Sequence, residues 1–303
     1  MDRARARRSF FAVVLLAGSM PGPAGAFTIV CSESALRAAM TAVSLGATPD
    51  RTVTIPPSCT ITLTGAPGDD SNLSGDLDVN GSMTIQGAGA ASTVIDGGGV
   101  DRVFDISDPQ TMAVTISGVT IRNGRVADGA GIRNSRTVTL SDSVVSDNIT
   151  PGNSGGIDNS GELVVLRTLV TGNSGFLAGG IRNNGGTLTV TDSVVSGNFS
   201  TGIHNSGGTA LVIRSSIIDN EEGSSGGGLV NVGGATLTVT NSTISGNLSG
   251  SNGGGIFINS GSATFAHATI TDNEAAGAGG GVSVFGGAVS MASTILAGNT
   301  VGS

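Results

Sequence analysis

Three sets of residues in this 303-residue chain have types and spacings that could support chemistry. Asp142 and Asp192 are a candidate carboxylate pair. Paired carboxylates carry acid–base attack on glycosidic bonds when they stand about 5–10 Å apart. Asp69, Asp70, Asn72, Asp76 and Asp78 form a dense run of oxygen ligands, of the kind that Ca²⁺ gathers, although the spacing is not that of an EF-hand. Cys31 and Cys59 are the only cysteines, and an exported chain would join them in a disulfide. His204 and His267 have no Cys or His near them in sequence, so they do not read as metal ligands. No G-x-S-x-G elbow is present. There is no Trp and no Tyr, and the nine Phe are expected mostly in apolar columns or the N-terminal segment.

The elements that must position these groups are written in a repeat. Asn148, Asn173, Asn198, Asn220, Asn247, Asn273 and Asn299 recur every 22 to 27 residues. Ten residues before each lie Val138, Leu163, Leu188, Ala210, Leu237, Ala263 and Val289; the columns eight and three residues before are equally apolar. A spacing of two puts the first two columns on one face of a strand, and the odd spacing to the third requires a turn. Gly-Gly-Ile-type starts such as Gly156-Ile157 and Gly255-Ile256 mark another corner, where Gly is expected for its tolerance of unusual backbone angles. No repeat is long enough to carry a helix or to make a propeller blade, so the period fits a coil of stacked parallel strands.

Stacking assigns the polar columns. The asparagines form one ladder, and Asn134, Asn159, Asn183, Asn205 and Asn231 a second. Asp142, Arg167, Asp192, Arg214, Asn241 and His267 fill one charged column; Arg133, Asp158, Arg182 and His204 fill another. Charges that alternate between adjacent coils read as register devices before they read as catalysts. Arg167 stands between Asp142 and Asp192 and should lower their pKa, which is the wrong direction for a general acid. No catalytic residue is therefore assigned, and the regular coils show no outward trio of carboxylates free of Arg. Thr139, Thr189 and Thr238 give a Thr-x-Thr face resembling that of ice-binding β-helices. Val164, Leu166, Leu211 and Ile213 interrupt it.

Residues 1–26 read as an export signal: Arg3, Arg5, Arg7 and Arg8, then the apolar run Phe10 to Ala17, then Ala24-Gly25-Ala26. That run is too short to span a bilayer, and no later segment is apolar enough. The formal net charge is −8 with no Lys, so nucleic acid and anionic lipid are excluded as partners. Residues 27–50 are expected to cap the N-terminal end with a short helix that begins at Ser32. Residues 51–121 should be irregular early coils, and residues 122–303 regular coils of about 25 residues. The absence of a cap before Ser303 reads as an incomplete gene product, with a dimerising end as the competing account.

The Gly-Gly-[Ile/Leu/Val] starts and [Val/Ile]-x-x-Asn ends resemble the repeats of chlamydial polymorphic outer-membrane proteins. Ser74-Gly75-Asp76-Leu77-Asp78-Val79, Thr84-Ile85-Gln86-Gly87 and Asp101-Arg102-Val103-Phe104-Asp105-Ile106 resemble large secreted bacterial β-helix proteins. Cys31-Ser32-Glu33-Ser34-Ala35-Leu36-Arg37 is a loose version of the Cys-Ser-Leu-Arg-Glu-Ala motif some of them carry. The pattern and the resemblance together give an all-β, single-stranded right-handed parallel β-helix, a pectate-lyase-like solenoid with a short N-terminal capping helix. The resemblance implies an extracellular, periplasmic or surface location. The functional expectation is a non-enzymatic, adhesin-like scaffold or binding module, with cell-surface or extracellular polysaccharide or protein as partner. The alternative is a polysaccharide lyase or glycoside hydrolase. No cofactor is expected for the scaffold, and Ca²⁺ is the one candidate ion.

Overall fold

The computed structural model describes residues 26–46, 51–68, 72–109, 111 and 113–302. The expected signal, Asp69 and Asp70 lie outside these residues, apart from Ala26. Alternating apolar residues in five-residue strands such as Thr187–Thr191 and Thr236–Thr240 turn Leu188, Val190, Leu237 and Val239 inward. A three-residue strand follows across a turn, then a corner loop, then a third strand that closes the coil. Repetition stacks these into parallel sheets of eleven, ten and nine strands, plus a four-stranded sheet along one corner. The result is a parallel β-helix around one continuous apolar core, all-β among the described residues except for one helix.

The register matches the columns read from the asparagines: Val138 pairs with Leu163, Leu163 with Leu188 and Leu188 with Ala210. The early strands join the same sheets. Thr52–Thr54 pairs with Met83–Gln86, which pairs with Ala113–Ser117, which pairs with the first regular coil. At the last coil Met291 and Leu296, whose counterparts below are buried, are 39% and 49% exposed.

The helix spans Glu33–Ser44, longer than the sequence signal. Ser32 caps it, its hydroxyl accepting from the Ala35 N–H at 3.3 Å, and Glu33 sits in the first turn where the helix dipole favours an acid. Leu36, Met40 and Val43 are buried against the first coils, and the Cys31–Cys59 disulfide ties the helix to them across a Cα–Cα distance of 5.5 Å.

Two turn positions explain residue choices that the pattern alone left open. Asp142, Arg167, Asp192, Arg214, Asn241, His267 and Ser293 all have positive φ, between 46° and 53°. The column is thus a left-handed corner, which disfavours β-branched residues. The second Gly of the Gly-Gly-Ile corners is there for a different reason from the one expected. Gly156, Gly228 and Gly255 do not have positive φ. A Cβ on Gly156 would lie 2.4 Å from the Gly180 carbonyl oxygen, and on Gly228 or Gly255 2.6 Å from the carbonyl of the next coil. Close stacking excludes a side chain there, rather than backbone strain.

Candidate functional site

Three regions of the outer surface carry polar side chains, and each offers different chemistry. The first is the outward column of the nine-stranded sheet. Register places Asp78, Asp105, Arg133, Asp158, Arg182 and His204 side by side on successive coils. The ladder therefore begins earlier than the sequence suggested, with Asp105 as the partner of Arg133. Asp158 and Arg182 make the next pair at 3.4 Å. Burial pushes Asp158 up and, with Arg182 adding to it, pushes His204 down to about 4. Arg182 Nε and His204 Nδ1 are buried without a hydrogen-bond partner.

At the N-terminal end of this column Asp76, Asp78 and Asp105 each place an oxygen within 4.8 Å of the others, and all three are buried. The sequence brings them together because Leu77–Asp78 pairs with Phe104–Ile106. Arg102 Nη1 donates to both Asp76 and Asp105 at 2.9 Å, while the Asn72 N–H donates to Asp78 at 2.9 Å. Arg37 of the capping helix donates to the Gly75 and Asp76 carbonyls at 2.6 and 2.7 Å, sealing the cluster from above. Burial, then the carboxylates of Asp78 and Asp101, pushes Asp76 up to about 7 against the pull of Arg102. Of the oxygen ligands expected from sequence, Asp76, Asp78 and Asn72 thus converge, with Asp105 added. The donor set has the hard oxygens that Ca²⁺ takes, but Arg102 already occupies the place between Asp76 and Asp105 that a shared cation would fill.

The second region is the left-handed corner. Arg167 Nε and Nη2 hold Asp142 at 2.6 and 2.7 Å, and Arg214 holds Asp192 in the same two-point fashion at 2.7 Å. These hydrogen bonds hold both carboxyls below the usual range. His267, on the same corner, is exposed.

The third region was not singled out from sequence. It is the row one residue after the ladder asparagines, Ile149, Ser174, Phe199, Glu221, Leu248 and Glu274, in register from coil to coil and preceded in the same register by Arg125. A shallow cleft of about 410 Å³ on this row brings together Glu221, Glu222 and Glu274 with no Arg in its wall. A second, of about 350 Å³, opens beside Arg125 and Ile149. Glu222 is buried, taking hydrogen bonds from Ser200, Thr201 and Ser224, whereas Glu221 and Glu274 are exposed two coils apart. Only Glu221 and Glu274 face outward, so the cleft holds an outward pair of carboxylates free of Arg that the sequence did not single out, with Glu222 turned inward behind them. Phe104 and Phe265 are buried in the apolar columns, whereas Phe176, Phe199 and Phe285 lie outside them and are 74%, 61% and 69% exposed. The column one after Asn could have revealed the row, but its residue types vary too much to look like a motif.

Fold and surface together define a parallel β-helix with charge-paired outer columns. No protein-family model and no curated protein matches the chain, so the likeness to chlamydial repeats remains one of pattern. Two solved structures do match: the A-modules of the mannuronan C-5 epimerases AlgE4 and AlgE6 of Azotobacter vinelandii. The first is 14% identical with a TM-score of 0.48, covering 91% of this chain and 98% of that one. The second is 13% identical with a TM-score of 0.42, covering 89% and 98%. At such identities the likeness is one of fold.

Proposed function

We propose that this chain is an exported β-helix that acts as a surface scaffold or binding module, holding an extracellular polymer without cleaving it. The observation that carries this reading is the pairing of acids with arginines from coil to coil. Asp142, Asp192, Asp105 and Asp158 each face an Arg of the next coil. Asp76, the acid whose pKa suits proton transfer near neutrality, is 4% exposed and lies under Arg37 and Arg102. A polymer could not reach it. Export is supported by the signal-like N-terminus and by the disulfide, which persists in oxidising compartments. Among the described residues no helix is long and apolar enough to cross a membrane. The reading needs no ion; Ca²⁺, if bound, would have Asp76, Asp78 and Asp105 as its carboxylates.

A second reading is favoured by the Arg-free cleft. Glu221 and Glu274 stand two rungs apart, about 10 Å along the sheet, close to the wider carboxylate separation of inverting glycosidases. Incubating the protein with neutral and acidic polysaccharides, with and without Ca²⁺, while scoring both retention and new chain ends, separates the two. Retention without cleavage is expected. New chain ends that disappear in E221Q or E274Q would replace the scaffold with a hydrolase.

A further inference from the structure

We propose that the corner row following the ladder asparagines is a binding track for a linear, neutral polysaccharide. This rests on the reading of the chain as a polymer binder and names the ligand class and the site. Along the row apolar and polar residues alternate by coil: Ile149, Phe199 and Leu248 are 51%, 61% and 39% exposed, with Ser174 and Glu221 between them. Two rungs of parallel sheet advance about 10 Å. That is close to the length of a disaccharide unit in an extended chain, so each platform would meet every second ring in the same orientation. A polymer with a regular repeat fits such a comb better than a folded protein surface does.

Phe199 offers the flat apolar face that sugar rings pack on. Phe176, 74% exposed, is in the loop of the preceding coil, its backbone carbonyl accepting from the hydroxyl of Ser200, the residue after Phe199, at 3.3 Å. The intervening Glu221, and Glu274 beyond Leu248, are acceptors for sugar hydroxyls and open onto the 410 Å³ cleft. Phe199 and Leu248 sit on backbone paired to coils on both sides, so little conformational freedom is lost on binding. The charge chooses the ligand's sign: the chain is −8 overall and Arg125 is the row's one cation, which disfavours a polyanion. The other faces are less suited. The nine-stranded column is saturated with paired charge from Asp105 to Arg182, and the central outward residues of the long sheet from Thr139 to Thr238, such as Thr189 and Leu211, are half-buried.

The test is affinity electrophoresis of the whole protein through hydroxyethyl cellulose, galactomannan or polygalacturonate, with F199A/L248A as the track variant and T189A as a control on the long sheet. Retardation by a neutral polymer is expected, weakened at least tenfold in F199A/L248A and unchanged in T189A. Thermal melting of the variant at the wild-type temperature would confirm that the loss is local. Undiminished retardation of F199A/L248A would overturn the track while leaving a binder. Retardation by the polyuronate alone would overturn the neutral class. No retardation by any polymer would remove the binder reading as well.

Discussion

Asn173 donates twice to one oxygen: its backbone N–H and its side-chain Nδ2 both reach Asn198 Oδ1, at 3.1 and 3.0 Å. Asn198 Nδ2 in turn donates to the Val170 carbonyl and to Asn220 Oδ1. Asn173, Asn198 and Asn220 are completely buried or nearly so, and each depends on its neighbours. Asn198→Ala would take the acceptor from the Asn173 N–H and one hydrogen bond each from Asn173 Nδ2, the Val170 carbonyl and Asn220 Oδ1, in a dry interior. A buried group left unpaired costs about 1–3 kcal/mol, and each further hydrogen bond lost about 1 kcal/mol. The expected loss is therefore about 3–5 kcal/mol of unfolding free energy, measured by denaturant melts, and Asn198→Asp should partly rescue it by keeping the acceptor. A loss below about 1 kcal/mol in Asn198→Ala would mean the ladder follows from stacking and does not stabilise it.

The exposed and buried ion pairs should respond differently. Arg167 and Asp142 lie on the surface, where such pairs contribute little. Arg102 serves Asp76 and Asp105, both buried, and also donates to the Gly129 carbonyl at 3.2 Å. Removing one partner of a buried pair costs about 3–5 kcal/mol, because it leaves uncompensated charge. Arg102→Leu should lower the melting temperature strongly at pH 7.5, and Arg167→Ala should leave it nearly unchanged. Comparable shifts in the two would contradict the distinction.

Asp76 and His204 should oppose each other in pH dependence. The folded-state pKa of Asp76 is raised from 3.8 to about 7, so its contribution to stability is fully present below pH 3.8 and lost as pH rises through 7. That of His204 is depressed from 6.5 to about 4, so its contribution is present above pH 6.5 and lost as pH falls through 4. Between pH 4 and 6.5 the two slopes run against one another. In Asp76→Asn, melting temperature should fall more steeply on acidification than in the native protein. In His204→Gln it should fall more steeply as pH rises. Variant curves parallel to the wild type would show that neither group titrates as its surroundings imply.

The coil was legible in sequence because its polar rungs use one residue type at a nearly constant interval, and the apolar columns keep a fixed offset from it. Asn134 to Asn159 at 2.7 Å and Asn159 to Asn183 at 2.7 Å follow the second ladder as read. Asp105 escaped because it sits before the first ladder Asn, so no offset pointed to it. Glu221 and Glu274 escaped because they fall two coils apart, in a column shared with Ser, Phe and Leu. Only the register shows that Glu221 and Glu274 share a wall. The exposure of Phe199 was hidden for a related reason: an aromatic directly after a buried Asn looks like core until the chain is seen to turn outward there. Gly156 was identified as a corner, but its cause, a carbonyl of the next coil where a Cβ would stand, exists only between coils.

The cap offers a last test, since three separate contacts hold it. The Cys31–Cys59 bond closes a loop with a sequence separation of 28, Glu33 accepts from the Thr64 N–H and hydroxyl at 3.0 and 2.7 Å, and Arg37 reaches the Gly75 and Asp76 carbonyls. A loop of that length is worth about 3–4 kcal/mol through the entropy it removes from the unfolded chain. Cys31→Ser/Cys59→Ser should therefore lower stability by an amount of that order. The loss should appear first as faster amide exchange in Glu33–Ser44 and Thr52–Thr54, while the coils around Asn198 stay protected, because stacked repeats contact mainly their neighbours. Uniform loss of protection along the chain would instead mean that cap and solenoid unfold as one cooperative unit, and that the disulfide stabilises the whole helix rather than its end.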